Sequence, residues 1–510
     1  MLILSAWVVI LGSHVRREYF APELVRLAGA AMALNPGTSF YTLRMGGRAV
    51  GQATSALDTV ADGFRLDDFM ALELPALGQT GTAVVRTRVD LDPSLQMRGF
   101  SFSLDSEVGR FQADGVVEGD TLLQVTIDSQ GSSQTVSYRM ASAPVFASVV
   151  PIRVAMGGGL EVGTTHRMPV FDPSTLSTRS VEVRVIEHDT LVVPDSVSRA
   201  SGGARWEAVT FDSVPAWRIA EVFGGVSVES WVDEDGRVLR AESPLGFAME
   251  KTEFELSSQA LADARIDGAT STDDDVILAT AIQSNVDLSE AEMFDELRFV
   301  LSGVDLAGFD LEGGRQSLRG DTLIVRKERR QGLDPGYRLP YPRMDLREAL
   351  QPEPLIQSAD PRIVQLAEEL TARSASWAQN PRRVAEELMV GVHNMLEKKI
   401  TFSVPSAVQV METRQGDCNE HTVLYVALAR ALGLPARTAV GLVFVNGAFF
   451  YHAWPEVWLG EWVAVDPTFG QFPADASHIR FVVGGLAQQV ELVRLIGRLN
   501  IDVVENTHAD

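Results

Sequence analysis

Arg414-Gln415-Gly416-Asp417-Cys418-Asn419-Glu420-His421 sets the single cysteine of a 510-residue chain directly ahead of an apolar, alanine-rich run. From Glu420 to Leu432 the residues Val423, Leu424, Ala427, Leu428 and Ala431 recur at helical spacing, and Gly433 with Leu434-Pro435 supplies a stop. The cysteine therefore stands at a helix N-terminus. Unpaired backbone N–H groups and the positive end of the helix dipole stabilise an anion there, so the thiol pKa is expected to fall below its ordinary value. An imidazolium supplied by His452 would lower it further.

Downstream, Thr438 to Phe444 reads as a strand, Asn446-Gly447 is a strong two-residue hairpin signal, and Ala448 to Trp454 returns antiparallel, with His452 near its end. A second turn at Gly460-Glu461 leads into Trp462-Val463-Ala464-Val465, and Pro467 ends that strand just after Asp466. Neighbouring strands would put Asp466 beside His452. Cysteine, histidine and aspartate in this order supply a nucleophile, a base and an orienter.

The helix-borne Gly416-Asp417-Cys418, the strand-borne His452-Ala453-Trp454 and Asp466-Pro467-Thr468 after a further strand resemble the transglutaminase-like superfamily, a branch of the papain-like cysteine enzymes. The likeness covers about residues 360–481. It implies that Cys418 is the nucleophile, His452 its base and acid, and Asp466 the acceptor that fixes the imidazole tautomer. A lone cysteine is more often an inert buried residue, and the two further motifs tip the reading toward catalysis. His421 competes for the base role but, three residues along the helix, is read as a packing or capping group. Trp454, Trp458 and Trp462 are read as core and strand-face residues. The other histidines, His14, His166, His188, His393, His478 and His508, show no metal-ligand spacing, so neither a metal nor another cofactor is expected.

The length suggests about three domains, and the 45% hydrophobic content is ample for buried cores. A formal net charge of −24 repels nucleic-acid phosphates and anionic membrane surfaces. One cysteine forbids an internal disulfide, which suits an exported protein that keeps its thiol for chemistry and suits a cytosolic one as well. The apolar run Met1 to Val15 is shorter than a bilayer span and lacks a basic residue before it. A signal peptide, an N-terminal membrane anchor and a plain amphipathic helix all fit it. Arg16-Arg17 argues weakly against export of the downstream chain. The hydrophobicity of the run favours a cell-envelope protein, with a cytoplasmic one as the alternative. Pro22 to Leu34 reads as a short helix or linker.

The expected architecture is multidomain. Residues 1–36 form the N-terminal segment and linker, 37–258 a large antiparallel β domain, 259–350 a linker with a small β domain, and 351–510 an α+β catalytic domain. Period-two alternation marks the large domain: Leu123, Val125 and Ile127 against Gln124, Thr126 and Asp128, and Val181, Val183 and Val185 against Glu182 and Arg184. Turns are expected at Met45-Gly46-Gly47, Glu118-Gly119-Asp120, Ser201-Gly202-Gly203 and Glu234-Asp235-Gly236. A curved sheet or half-open barrel fits this pattern. Residues 40–51 resemble the opening strands of bacterial envelope β domains, for which a structural spacer is preferred over a lipid- or partner-binding groove.

Asp263 to Asp275 reads as a solvated linker, and its acidic triplet lacks the glycine and distal glutamate of a calcium loop. Leu297 to Val304 and Thr322 to Lys327, around a turn at Arg319-Gly320-Asp321, form the small β domain. The proline-rich stretch 331–354 lies across the cleft or links domains. Helices are expected after Asp360-Pro361 and after Asn380-Pro381. Thr401 to Val410 is expected to run extended along one wall of the cleft, another strand lies between Phe469 and Phe481, and an apolar helix spans Leu486 to Leu499. The activity expected is thiol-dependent acyl transfer on a peptide or other amide, ending in hydrolysis. Transfer to an amine, and a non-catalytic interaction module of the envelope, are the alternatives.

Overall fold

The computed structural model describes residues 23–119, 121–129, 132–140, 142–200, 205–223, 226–244, 246–267, 275–333, 335–371 and 379–508. The Met1–Val15 run, Ser201-Gly202-Gly203 and most of the acidic triplet lie outside these residues. No helix among the described residues is long and apolar enough to cross a membrane.

Residues 37–252 build one fifteen-stranded sheet. Eight strands meander from Gly37 to Arg139 and seven from Val145 to Thr252, and the halves join where Phe40–Met45 pairs antiparallel with Phe247–Thr252. The alternation seen in the sequence is the cause of its burial pattern. Leu123, Val125, Ile127, Val181, Val183 and Val185 are all buried, while their neighbours face out. The halves curl over one shared core: the Phe100 ring lies 5.6 Å from Phe146 and 5.4 Å from Phe171 in the opposite half.

Two smaller sheets complete the β structure. One orders the strands Ile282–Gln283, Ala448–Trp458, Ala436–Val445 and Ile479–Val483, with Trp462–Ala464 also paired to Ala448–Trp458. Asn446 and Gly447 both take positive φ, at 47° and 93°, which matches the strand twist of a tight hairpin. The helix Cys418–Ala431 packs on this sheet, backed by Pro361–Thr371, Pro381–Met395 and Ala407–Thr413.

The other sheet orders Gln316–Arg319, Thr322–Arg326, Phe294–Ser302 and Asn500–His508. The small β region is thus completed by the end of the chain, and its Leu297, Phe299 and Leu323 share one core with Leu442, Phe449 and Phe481.

Several sequence expectations change. Residues 263–267 continue the helix Phe254–Asp267 instead of opening a linker. The extended run ends at Ser406, whose hydroxyl accepts from the Gln409 backbone N–H at 3.3 Å and starts a helix. The C-terminal helix is brief, Leu486–Gln489 with a 3-10 turn through Leu495, because the last strand is drawn into the small sheet. The proline-rich stretch runs past the far end of the Cys418 helix, where the Tyr341 N–H donates to Gly433 O at 2.9 Å. Fourteen residues of helix, about 21 Å at 1.5 Å each, separate that end from the thiol. From there the stretch runs back along the helix, and its last residues, Glu353 and Pro354, line a cavity with Asn419 and Thr422.

The large sheet is joined to the helical layer by buried polar contacts. Ser129 Oγ shares a 2.8 Å hydrogen bond with Ser406 Oγ, and Gln409 Nε2 donates to Val108 O at 3.2 Å.

Gly441 shows how tightly the central strands approach. A Cβ there would stand 1.9 Å from Ile479 O. Gly441→Ala is expected to destabilise the protein by roughly 1–3 kcal/mol through forced strand separation, read as a lowered thermal midpoint by circular dichroism. An unchanged midpoint would contradict that packing.

Candidate active site

Gly416, Asp417 and Cys418 owe their arrangement to a capping box. The Asp417 side chain accepts from the Asn419 N–H at 2.9 Å, and Glu420 Oε2 accepts from the Asp417 N–H at 3.0 Å. Thr401 and Ser403 both donate to Glu420 Oε1, at 2.7 and 2.6 Å. A Cβ on residue 416 would fall 2.2 Å from that of Glu420, so only glycine fits before the capping aspartate. Cys418 opens the helix, half-buried, with its sulfur beside the backbone N–H of Ala453, the residue after His452.

The expected fall in thiol pKa does not occur. Burial pushes the Cys418 thiol well up, the carboxyl of Asp417 adds to it, and only the Ala453 N–H opposes. The first-turn Asn419 N–H is already taken by the Asp417 side chain. Burial and the adjoining Glu420 carboxylate likewise push Asp417 well above the usual carboxyl range. At rest the cysteine is therefore a thiol that needs a base.

His452 lies on the strand Ala448–Trp458, buried, with Nε2 2.7 Å from Asp466 Oδ2. The strand runs on to Trp458, so His452 sits within it and not near its end. The ring lies nearly parallel to Phe469 at 5.0 Å and to Trp454 at 6.1 Å, which restricts its rotation. Asp466 is fully buried, and its Oδ1 accepts from the N–H groups of Thr468 at 2.7 Å and Phe469 at 3.1 Å. The Asp466 loop is itself held by His393, whose Nδ1 lies 3.0 Å from Pro467 O.

His478, passed over in the sequence, completes the cluster. Its Nε2 is 2.9 Å from Asp466 Oδ2 and its Nδ1 is 3.1 Å from Asp475 Oδ1. Asp475 also accepts from the Ser477 N–H and hydroxyl, at 2.9 and 2.6 Å. Both ring nitrogens thus face carboxylates, and each must carry a proton to donate. Burial opposes the charge on His478, but Asp475 and Asp466 outweigh it and push its pKa up to about 9. Burial likewise opposes ionisation of Asp466 and of Asp475, but for Asp466 the paired imidazoles His452 and His478, and for Asp475 the His478 ring, outweigh it and hold each carboxylate well below its usual range. Since ionised Asp466 only accepts, the His452 Nε2 that faces it carries a proton.

The structure brings His452 and Asp466 together as the sequence led us to expect. The sequence pattern did not single out His478 and Asp475, whose only local signal was a second acid-and-histidine pair soon after Asp466. His421 is a core residue: its Nδ1 donates to Asp417 O at 2.7 Å and the ring is fully buried. Trp454 is buried beneath His452 and His478, while Trp458 and Trp462 pair edge to face at 5.5 Å. His452, Asp466 and His478 each bring a ligand atom within 4.8 Å of the others, close enough for a cation. The same atoms form the hydrogen-bonded chain of acids and imidazoles described above.

The model of the transglutaminase-like superfamily matches residues 364–467, a segment that contains Cys418, His452 and Asp466 and stops short of His478. No curated protein matches the chain. Among solved structures, the chain is similar to a candidate cysteine protease from Cytophaga hutchinsonii at 18% identity, over 43% of this chain and 88% of that one, with a TM-score of 0.28. A β-barrel-like protein of a domain of unknown function from Brucella abortus shares 13% identity over 43% and 95%, at 0.31. The periplasmic domain of TgpA from Pseudomonas aeruginosa, bound to ethylmercury, shares 20% over 38% and 76%, at 0.23.

Two outcomes test this electrostatic picture. A group whose pKa rises on folding stabilises fully below its unfolded value, about 6.5 for histidine, and loses that contribution as pH climbs through the folded value. Wild-type unfolding free energy should therefore fall by on the order of a few kcal/mol between neutral pH and pH ~9.5, and His478→Gln should show a much shallower fall in denaturant titrations. Equal falls would refute a buried imidazolium. Alkylation of Cys418 by iodoacetamide should rise with pH through and beyond the ordinary thiol value near ~8.5. A plateau of fast labelling at acidic pH would instead reveal a resting thiolate.

Proposed function

With a transglutaminase-like core at residues 364–467 as premise, we propose that Cys418, His452 and Asp466 are the catalytic residues of thiol-dependent acyl transfer on an amide bond, ending in hydrolysis. The observation that carries this reading is the 2.7 Å bond from His452 Nε2 to Asp466, which leaves Nδ1 as the ring's other nitrogen on the strand whose Ala453 N–H lies beside the Cys418 sulfur. The layout proposed is papain-like, with the nucleophile on a helix and the base on the antiparallel sheet it packs against.

As Cys418 Sγ attacks the carbonyl carbon, its proton passes to His452 Nδ1 and a C–S bond forms. The Cys418 backbone N–H, at the first helical position and without an intrahelical acceptor, donates to the oxyanion. The C–N bond then breaks as His452 returns the proton to the leaving amine. Water, deprotonated by the same imidazole, attacks the thioester, the C–S bond breaks, and the thiol is restored. Asp466 holds the ring in the required tautomer, and His478 and Asp475 act through Asp466 as positioning residues. A peptide or protein supplies the amide, and a cell-envelope location, with the apolar Met1–Val15 stretch as membrane anchor or signal, completes the proposal.

The preformed His452–Asp466 pair on the strand that adjoins the helix-borne Cys418 favours hydrolysis or transfer begun by base-assisted attack over a scaffold role. Assays on a fluorogenic peptide-amide library, with and without an excess of a primary alkylamine, test the reading. Wild-type turnover should yield the free acid even with amine present, and Cys418→Ala and His452→Ala should each lose at least ~10³-fold in kcat. A dominant amide product would move the assignment to transglutaminase. Turnover that survives both substitutions would remove the triad altogether.

A further inference from the structure

The large sheet carries an anomaly that the catalytic reading leaves unused. Along the strand Trp206–Phe223, Ile219 faces the core and is fully buried, and Glu221, two residues on, points to the same side. Its cross-strand partner Val183 is equally buried. Along Gly63–Ala76 in the other half, Leu66 and Met70 point inward and Asp68 stands between them. Glu221 therefore occupies a sheet position with apolar partners on both adjoining strands, Val183 and Val228, whereas Asp68 in the other half is flanked across its strands by Ser55 and Thr87. Such breaks in an otherwise consistent pattern concentrate at functional sites.

Both acids line one cavity of about 370 Å³ enclosed by the curl of the sheet. Its walls are otherwise mainly apolar, including Leu57, Phe146, Ile152 and Met249. That volume falls within the roughly 300–1,000 Å³ range of small-molecule sites, which are typically apolar with a few convergent polar groups. Asp68 is held by the Ser55 hydroxyl at 2.6 Å. Glu221 has no hydrogen-bond or ion-pair partner among the described residues, and burial pushes its pKa up to about 7. The cation on the wall, Arg237, is turned to the Asn35 carbonyl and to Asp235.

We infer that this cavity binds a small apolar molecule bearing one amine, with the apolar body against the sheet's inner face and the amine donating to Glu221. A carboxylate-headed ligand is disfavoured there, since it would set a second carboxyl against Glu221. An ammonium group offers Glu221 the partner it lacks and restores the charge that burial suppresses. The inference is independent of the reaction at Cys418.

Isothermal titration of the full chain at pH 8 with 1-naphthylmethylamine, 1-naphthylmethanol and 1-naphthoate tests it. The amine should bind at one site at least ~10-fold tighter than the alcohol, and the acid should bind least. Glu221→Gln should remove the preference for the amine while the alcohol still binds. Ala53→Phe, which places a ring at a small wall residue, should weaken all three. Folding of both variants is checked by circular dichroism, and if either fails to fold the other still reads the site. Absence of saturable binding to the wild type, equal binding of amine and alcohol, or an amine preference that survives Glu221→Gln would each overturn the assignment.

Discussion

One oxygen, Asp466 Oδ2, accepts hydrogen bonds from two imidazoles, and the rest of the candidate site is arranged to make that possible. A buried carboxylate is stable only when its charge is answered. Here His452 and His478 answer it on one oxygen, and the Thr468 and Phe469 amides answer it on the other. The loop that presents these amides is closed by reciprocal Asp466–Gln471 backbone bonds at 3.0 and 2.9 Å. His478 in turn needs Asp475, so the unit of stability is a chain of alternating acids and imidazoles.

That chain constrains the backbone around it. His478 directly precedes the strand Ile479–Val483, which pairs with Ala436–Val445 and can approach only because residue 441 is glycine. The same strand sends Arg480 into a second buried network. Its guanidinium lies 2.9 Å from Glu456, and Gln316 brackets its backbone with bonds of 2.6 and 2.9 Å. Gln316 belongs to the small sheet, so the sheet completed by the chain's end is fastened to the strand that delivers His478. Burying so many charges is worthwhile in specificity more than in stability, because each has one arrangement of partners that satisfies it.

The thiol illustrates how the same physics changes sign with context. A helix N-terminus favours an anion when its amides face it unopposed. In this chain the first turn is already occupied by Asp417 and Glu420, whose mutual capping defines where the helix starts. The acids that place the cysteine thus add to the burial that keeps it protonated.

Local pattern made much of this legible. The helix after Cys418, the Asn446-Gly447 hairpin, the strand ending before Asp466 and the alternation of the large sheet all arise from short-range periodicity, turn chemistry and capping. The motifs, in order, also singled out His452 and Asp466, which the structure joins by a hydrogen bond. What the sequence could not decide were the partnerships between distant strands. The pairing of Phe40–Met45 with Phe247–Thr252, the recruitment of Asn500–His508 beside Phe294–Ser302, and the arrival of His478 at Asp466 depend on which edges meet in space, and period-two alternation is alike for every candidate edge. The charge state of each group was decided there too, since burial and nearby charge, which set a pKa, exist only after the chain has folded.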